Sequence, residues 1–168
     1  MAARLEEIEC HVPALRRYAR ALTHDADLAD DLVQDSLERA IRKREFWKPT
    51  GPLRAWLFRI LLNVHRNDLR TRRRAQAVIS PDPPAAEPAG TASQHGRLAL
   101  AETARAMQAL APEQREALLL VAVEGMSYAE AAGVLGIPTG TLMSRLARGR
   151  AALRQAIEDG PPKLRTVR

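Results

Sequence analysis

Apolar positions recur at helical spacing in two stretches of the chain, and no such pattern runs through the segment between them. Leu53, Trp56, Leu57, Ile60, Leu61 and Val64 follow the i, i+3, i+4, i+7 rhythm and predict the strongest helix in the sequence. Upstream, a helix is expected to begin near Pro13, whose fixed φ and missing N–H suit a first turn, and to run through Leu15, Ala19 and Leu22. The run THDAD marks its end. Asp27 is then expected to cap a second helix with Leu28, Leu32, Ala40 and Ile41 near one face and Asp30, Asp31, Gln34, Asp35 and Glu38 on the others. A break at WKPTGP separates that acidic helix from the helix over Leu53 to Val64.

From Ser80 to Gly96 the chain reads SPDPPAAEPAGTASQHG, rich in Pro, Ala, Gly and Ser without any apolar period, which predicts a flexible linker. Helical periodicity resumes from about Leu98 to Leu110. Pro112 opens a further helix that passes through Leu118, Leu119, Val121 and Ala122 to a stop at Gly125. The segment SYAEAAGVLGIPTGTLMSRLARGRAALRQAI follows. Ser127 and Glu130 form a capping box, Ala131 and Ala132 permit close helix contact, Gly136 supplies a sharp turn, and Ile137 plugs the angle. Beyond Pro138, Leu142, Leu146, Leu153 and Ile157 are expected to face a core while Ser144, Arg145 and Arg148 project elsewhere. That is a helix-turn-helix pattern with a cationic second helix, and such a helix fits the major groove of B-DNA.

The expected fold is therefore all-α, with two small helical domains over residues 1–78 and 97–160, a linker over 79–96 that lets them reorient, and a tail over 161–168. Composition agrees: 46% hydrophobic but only 4% aromatic residues favour helices over sheets. The charge of +6 comes from 26 Lys and Arg, mostly Arg, against 20 Asp and Glu. Arginine forks match phosphate geometry and point to a polyanionic partner. A run of cations, Arg66, Arg70, Arg72, Arg73 and Arg74, closes the first domain near Phe46, Trp47 and Trp56. Rings beside cations suit single-stranded nucleic acid. Trp56 lies on the apolar stripe and reads as core, which leaves Trp47 as the stacking residue.

Cys10 is alone, which excludes an internal disulfide and a multi-cysteine zinc site, and His11, His24, His65 and His95 lack metal-ligand spacing. No catalytic group, metal or cofactor is expected. No apolar run reaches the roughly 18 residues of a membrane span, and the acidic start is unlike an export signal, so a cytoplasmic protein without membrane insertion is expected.

Three separated motifs, DADLADDLVQDSLERA, GPLRAWLFRILLNVHRNDLRTRRR and LAPEQREALLLVAVEGMSYAEAAGVLGIPTGTLMSRLARGRAAL, together resemble the extracytoplasmic-function group of the sigma-70 family, over nearly the whole chain. Their order and spacing look like family regions two and four. The resemblance implies a transcription-initiation factor whose partners are core RNA polymerase, promoter DNA and an anti-sigma factor. It assigns Asp31, Gln34 and Asp35 to the clamp of the polymerase largest subunit. It assigns Trp47 and Asn63 to flipped bases of the −10 element, with Arg66, Arg70 and Arg73 on phosphates, and Thr141, Ser144, Arg145 and Arg148 to the −35 element. Met143 stands where the family often has a polar or basic residue. Two alternatives remain open at this stage. One is an ordinary helix-turn-helix regulator, which would need no acidic DDLVQD helix; the other is a sigma-like decoy that sequesters an anti-sigma factor.

Overall fold

The computed structural model describes residues 5–47, 51–76 and 103–158; the linker expected at 79–96 and the tail at 161–168 lie outside the described residues. Helices α1 (Leu5–Glu9), α2 (Val12–Thr23) and α3 (Ala26–Lys43), a 3₁₀ turn (Arg44–Phe46) and α4 (Leu53–Gln76) make the first domain. The second holds α5 (103–109), α6 (Pro112–Leu118) continued by a π turn (Leu119–Val123), α7 (Tyr128–Leu135) and α8 (Thr139–Glu158). There is no strand among the described residues, as an all-α fold requires.

Proline sits in the first turn of α2 as expected, and α2 ends where His24 takes a left-handed φ of 57° and donates its N–H to the Arg20 carbonyl at 2.9 Å. The cap of α3 is Asp25, not Asp27: its extended backbone lets the carboxylate accept the Leu28 N–H at 2.9 Å, while Asp27 falls in the first turn. The buried face of α3 is Ala29, Leu32, Val33, Ser36 and Ala40. Ile41 was expected inside but is 42% exposed, because it stands about 120° round the helix from Ala29, on which the buried face is centred. Helix α1 was not anticipated; its five residues carry too little periodicity, although Ile8 is buried.

In α4, Leu57, Leu61 and Val64 are buried as expected, and so are Phe58 and Leu62, which the simple stripe omits. Helix α4 is covered on two flanks, by α2 and α3 on one and by α7 on the other. The Phe58 ring meets Tyr18 edge-on at 5.2 Å. Tyr18 in turn donates its hydroxyl to the Glu116 carbonyl of the second domain at 3.3 Å. Buried residues of both domains join in one apolar cluster, so the two helical units are packed together.

In the second domain Ser127 and Glu130 form the expected capping box, and Gly136 ends α7 with φ 67°. Leu142 and Leu146 point into the core. Gly149 permits a close contact of α8 with α6, since a Cβ there would stand 2.8 Å from Leu118 Cδ1. Leu153 and Ile157 were expected inside as well, yet Leu153 is half-buried and Ile157 is 49% exposed. Helix α8 has 20 residues against 7 in α6 and 8 in α7, so its last turns outrun the helices that could cover them.

Candidate nucleic-acid interface

Helix α7, the Gly136 turn and α8 hold the second domain's polar face outward. With Leu142, Leu146 and Gly149 buried, Met143, Ser144 and Arg148 are exposed, and Thr141 and Arg145 lie half-buried at its edges. Ser144 Oγ donates to the Gly140 carbonyl at 3.0 Å, and Arg148 Nε donates to the Ser144 carbonyl at 3.3 Å. The Arg148 Nη groups have no partner among the described residues. Met143, 53% exposed, adds an apolar contact to this face.

On α3, Asp31, Gln34 and Asp35 are exposed and make no hydrogen bond or ion pair through their side chains among the described residues. Asp30 does: it pairs with Arg16 at 3.0 Å. The acidic surface free to meet a partner is therefore narrower than the sequence implies.

Helix α4 carries the first domain's cationic stripe. Arg59, Asn63, Arg66, Arg70 and Arg73 stand four, three, four and three residues apart and so share one face. Asn63, Arg70 and Arg73 are exposed. Arg66 is not: its guanidinium forks the Glu116 carboxylate at 3.1 and 2.6 Å, which holds its pKa above the usual arginine value. Arg59 donates to the Gly133 carbonyl of α7. Trp47, expected to be free in a loop, is half-buried against the core, as is Trp56.

Four of the charged groups that organise this region, Arg17, Arg54, Glu116 and Glu124, were missed in the sequence. Glu124, with a side chain 0% exposed, receives Arg17 at 3.0 and 2.8 Å and Arg54 at 2.9 Å. Arg54 also donates to the Glu124 carbonyl at 2.6 Å and lies 5.5 Å from the centre of the Phe58 ring. Glu116 is held by Arg66. These pairs span 50 to 107 residues of sequence, beyond any local pattern. One signal was available: Glu116 and Glu124 flank the apolar run ALLLVAV, where an ionised group needs a partner. The π turn adds a residue to the helix, which brings Glu124 round to the side of Glu116 instead of about 80° past it.

A cleft of about 490 Å³ opens along the same seam, with Arg66, Arg70 and Arg73 of α4 on one wall and Ile137 and Arg145 on the other. Nearby, burial lowers the pKa of His65 and of His24, whose Nε2 is buried with no partner among the described residues. Arg115 caps α5 by donating to the Met107, Gln108 and Leu110 carbonyls at 2.8, 2.5 and 3.2 Å. Among the described residues no group of three His, Cys, Asp or Glu is placed to hold a metal ion, and no helix is long and apolar enough to cross a membrane.

Residues 8–62 match the family described as the Sigma2 domain of PhyR, and residues 100–153 match Sigma-70, region 4. The chain is 41% identical over 149 residues to the ECF RNA polymerase sigma factor EcfG of Rhodopseudomonas palustris, covering 88% of this chain and 81% of that protein. It is 34% identical over 167 residues to the RNA polymerase sigma factor CnrH of Cupriavidus metallidurans, covering 91% and 85%. Among solved structures, the sigma factor RpoE of Bartonella quintana, crystallised with the anti-sigma factor NepR, superposes with a TM-score of 0.80 at 35% identity over 93% of this chain and 97% of that one.

Proposed function

Because the chain belongs to the extracytoplasmic-function group of the sigma-70 family, we propose that it directs core RNA polymerase to specific promoters, initiates transcription there, and is restrained by an anti-sigma factor. One observation carries the reading: a single chain presents a helix-turn-helix with a cationic outer face on α8 and, on α3, the exposed side chains of Asp31, Gln34 and Asp35 without partners among the described residues. Asp31, Gln34 and Asp35 dock on the polymerase clamp. Thr141, Ser144, Arg145 and Arg148 read the −35 element, where arginine pairs with guanine acceptors and the Met143 side chain can lie on a thymine methyl. Asn63 holds a flipped −10 base through its side-chain amide, and Arg66, Arg70 and Arg73 hold the phosphates beside it. Trp47 joins them only where its indole leaves the core.

Restraint by an anti-sigma factor is supported by the structure of the similar RpoE, which was solved with NepR bound. The chain works wherever core polymerase works, in the cytoplasm. The deciding experiment is reconstitution with core polymerase: initiation from a cognate promoter establishes the reading, and its absence with folded protein removes it. Replacing Gln34 and Asp35 with Ala should weaken core binding in a direct titration while leaving helicity intact.

A second reading, a decoy that sequesters an anti-sigma factor, draws on the match of residues 8–62 to the Sigma2 domain of PhyR. It predicts anti-sigma binding without any initiation in the same assay.

A further inference from the structure

The cleft between α4 and α8 gathers cations from both domains. Arg70 and Arg73 enter it from α4 and Arg145 from α8, and none of them makes a hydrogen bond or ion pair through its side chain among the described residues. The other charges on its walls do not balance them. Arg66 and Glu116 neutralise each other through their paired hydrogen bonds, which leaves Glu113, exposed in the first turn of α6, as the acid facing Arg70, Arg73 and Arg145. Domain packing thus concentrates like charge at a concave site, which costs free energy until an anion lies among the guanidiniums.

The cleft also has the size and the surroundings of a small-molecule site. Its volume of about 490 Å³ falls within the usual range for ligand pockets, about 300–1,000 Å³. Leu69, Arg73, Pro112 and Glu116 line it together with a second hollow of about 310 Å³, which continues towards Leu28, Leu32 and His65. The leucines there offer an apolar floor. Burial favours the neutral form of His65, whose ring can then both donate and accept a hydrogen bond.

We propose that this seam binds a small phosphorylated anion, a chain of two or more phosphoryl groups held between Arg70 and Arg73 of α4 and Arg145 of α8, which ties the two domains together. A guanidinium pairs with two oxygens of a phosphoryl group at once, and arginines on opposite walls call for an anion long enough to present oxygens to both. A single phosphate serves one wall only. Such an anion is either a free polyphosphate or a nucleotide whose base lies in the second hollow against Leu28 and Leu32. The site goes beyond the promoter reading: these arginines are assigned above to DNA phosphates, and a diffusible anion is a separate ligand of the same chemistry, bound by the chain without polymerase.

The test is calorimetric titration of the full chain with inorganic pyrophosphate, in metal-free buffer at low and fixed ionic strength, with orthophosphate, ADP and GDP as further titrants. Pyrophosphate should bind one-to-one and about tenfold or more tighter than orthophosphate. Arg70→Gln and Arg145→Gln should each weaken it about tenfold, the loss of one charge-assisted contact. Glu113→Gln removes the opposing acid from an exposed position and should tighten binding about threefold, a gain that a misfolded chain cannot give. Arg154→Gln, on α8 but off the cleft walls, should leave the affinity unchanged. A nucleotide that binds tighter than pyrophosphate identifies the nucleotide source, and one that binds equally or less tightly identifies the free polyphosphate.

The proposal is overturned if pyrophosphate shows no saturable binding, or if Arg154→Gln weakens it as much as the cleft variants do, which would mean general attraction to a cationic chain. Unchanged affinity in Arg145→Gln overturns it too, because the anion would then sit on α4 alone. So does orthophosphate binding as tightly as pyrophosphate, or a Glu113→Gln variant with no gain.

Discussion

Replacing Arg54 with Ala should cost about 2–3 kcal/mol of stability, and replacing Arg17 with Ala about 1 kcal/mol or less, although both hold the same carboxylate. Glu124 has a side-chain exposure of 0%, Arg54 of 33% and Arg17 of 55%. Leaving a buried charge wholly unpaired costs about 3–5 kcal/mol. In Arg54→Ala the Arg17 fork remains, which reduces that figure to about 2 kcal/mol. The lost bond to the Glu124 carbonyl and the lost contact with the Phe58 ring add about 0.5–1 kcal/mol between them. Arg17 is solvated on its outer side, so its two hydrogen bonds replace water bonds at little net gain. Urea unfolding followed by circular dichroism, with the double variant completing a cycle, measures both losses and their coupling. A loss in Arg17→Ala equal to or larger than that in Arg54→Ala would refute the burial argument, and so would a loss below about 0.5 kcal/mol in Arg54→Ala.

Arg148→Ala should flatten base preference at one −35 position, since a bidentate pair with guanine is worth about 1–3 kcal/mol of discrimination; binding to singly substituted duplexes at two salt concentrations checks it, and uniform weakening would mean a phosphate contact instead. His24 and His65 have pKa values lowered by burial, with Arg115 opposing protonation of both, while Glu116 and Asp68 partly offset this at His65. Their neutral forms therefore contribute stability that is complete above the ordinary value of 6.5 and lost as pH falls below it. The urea midpoint should drop between about pH 7 and pH 5, and His65→Gln should make that drop shallower; an unchanged slope would refute it. Gly149→Val should destabilise the second domain by about 1–3 kcal/mol, because its Cβ would press on Leu118 and Gln114 in a packed seam; a thermal melt no lower than that of the parent would contradict the close approach.

Much of the fold was written locally. The periodicity of α4, the Ser127–Glu130 capping box, the proline starts of α2 and α6 and the turn at Gly136 all depend on residues within one helical turn of each other, so spacing alone exposes them. The exposed polar face of α8 was legible for the same reason, because Leu142 and Leu146 set its orientation. Where local signals were close in strength the outcome turned on geometry: Asp25 and Asp27 are both able to cap α3, and the backbone at residue 25 chose between them.

What tertiary structure alone decided is which charges are spent inside the molecule. Arg66 and Arg70 are equivalent in sequence, four residues apart in one cationic run, yet Arg66 is bound to Glu116 and Arg70 is exposed. Glu124 finds Arg17 and Arg54 across 107 and 70 residues. Hydrophobic periodicity selects the face a helix buries, and that choice is made one element at a time. The partner of a buried charge is set by where two separately patterned domains come to rest against each other, which no local spacing encodes.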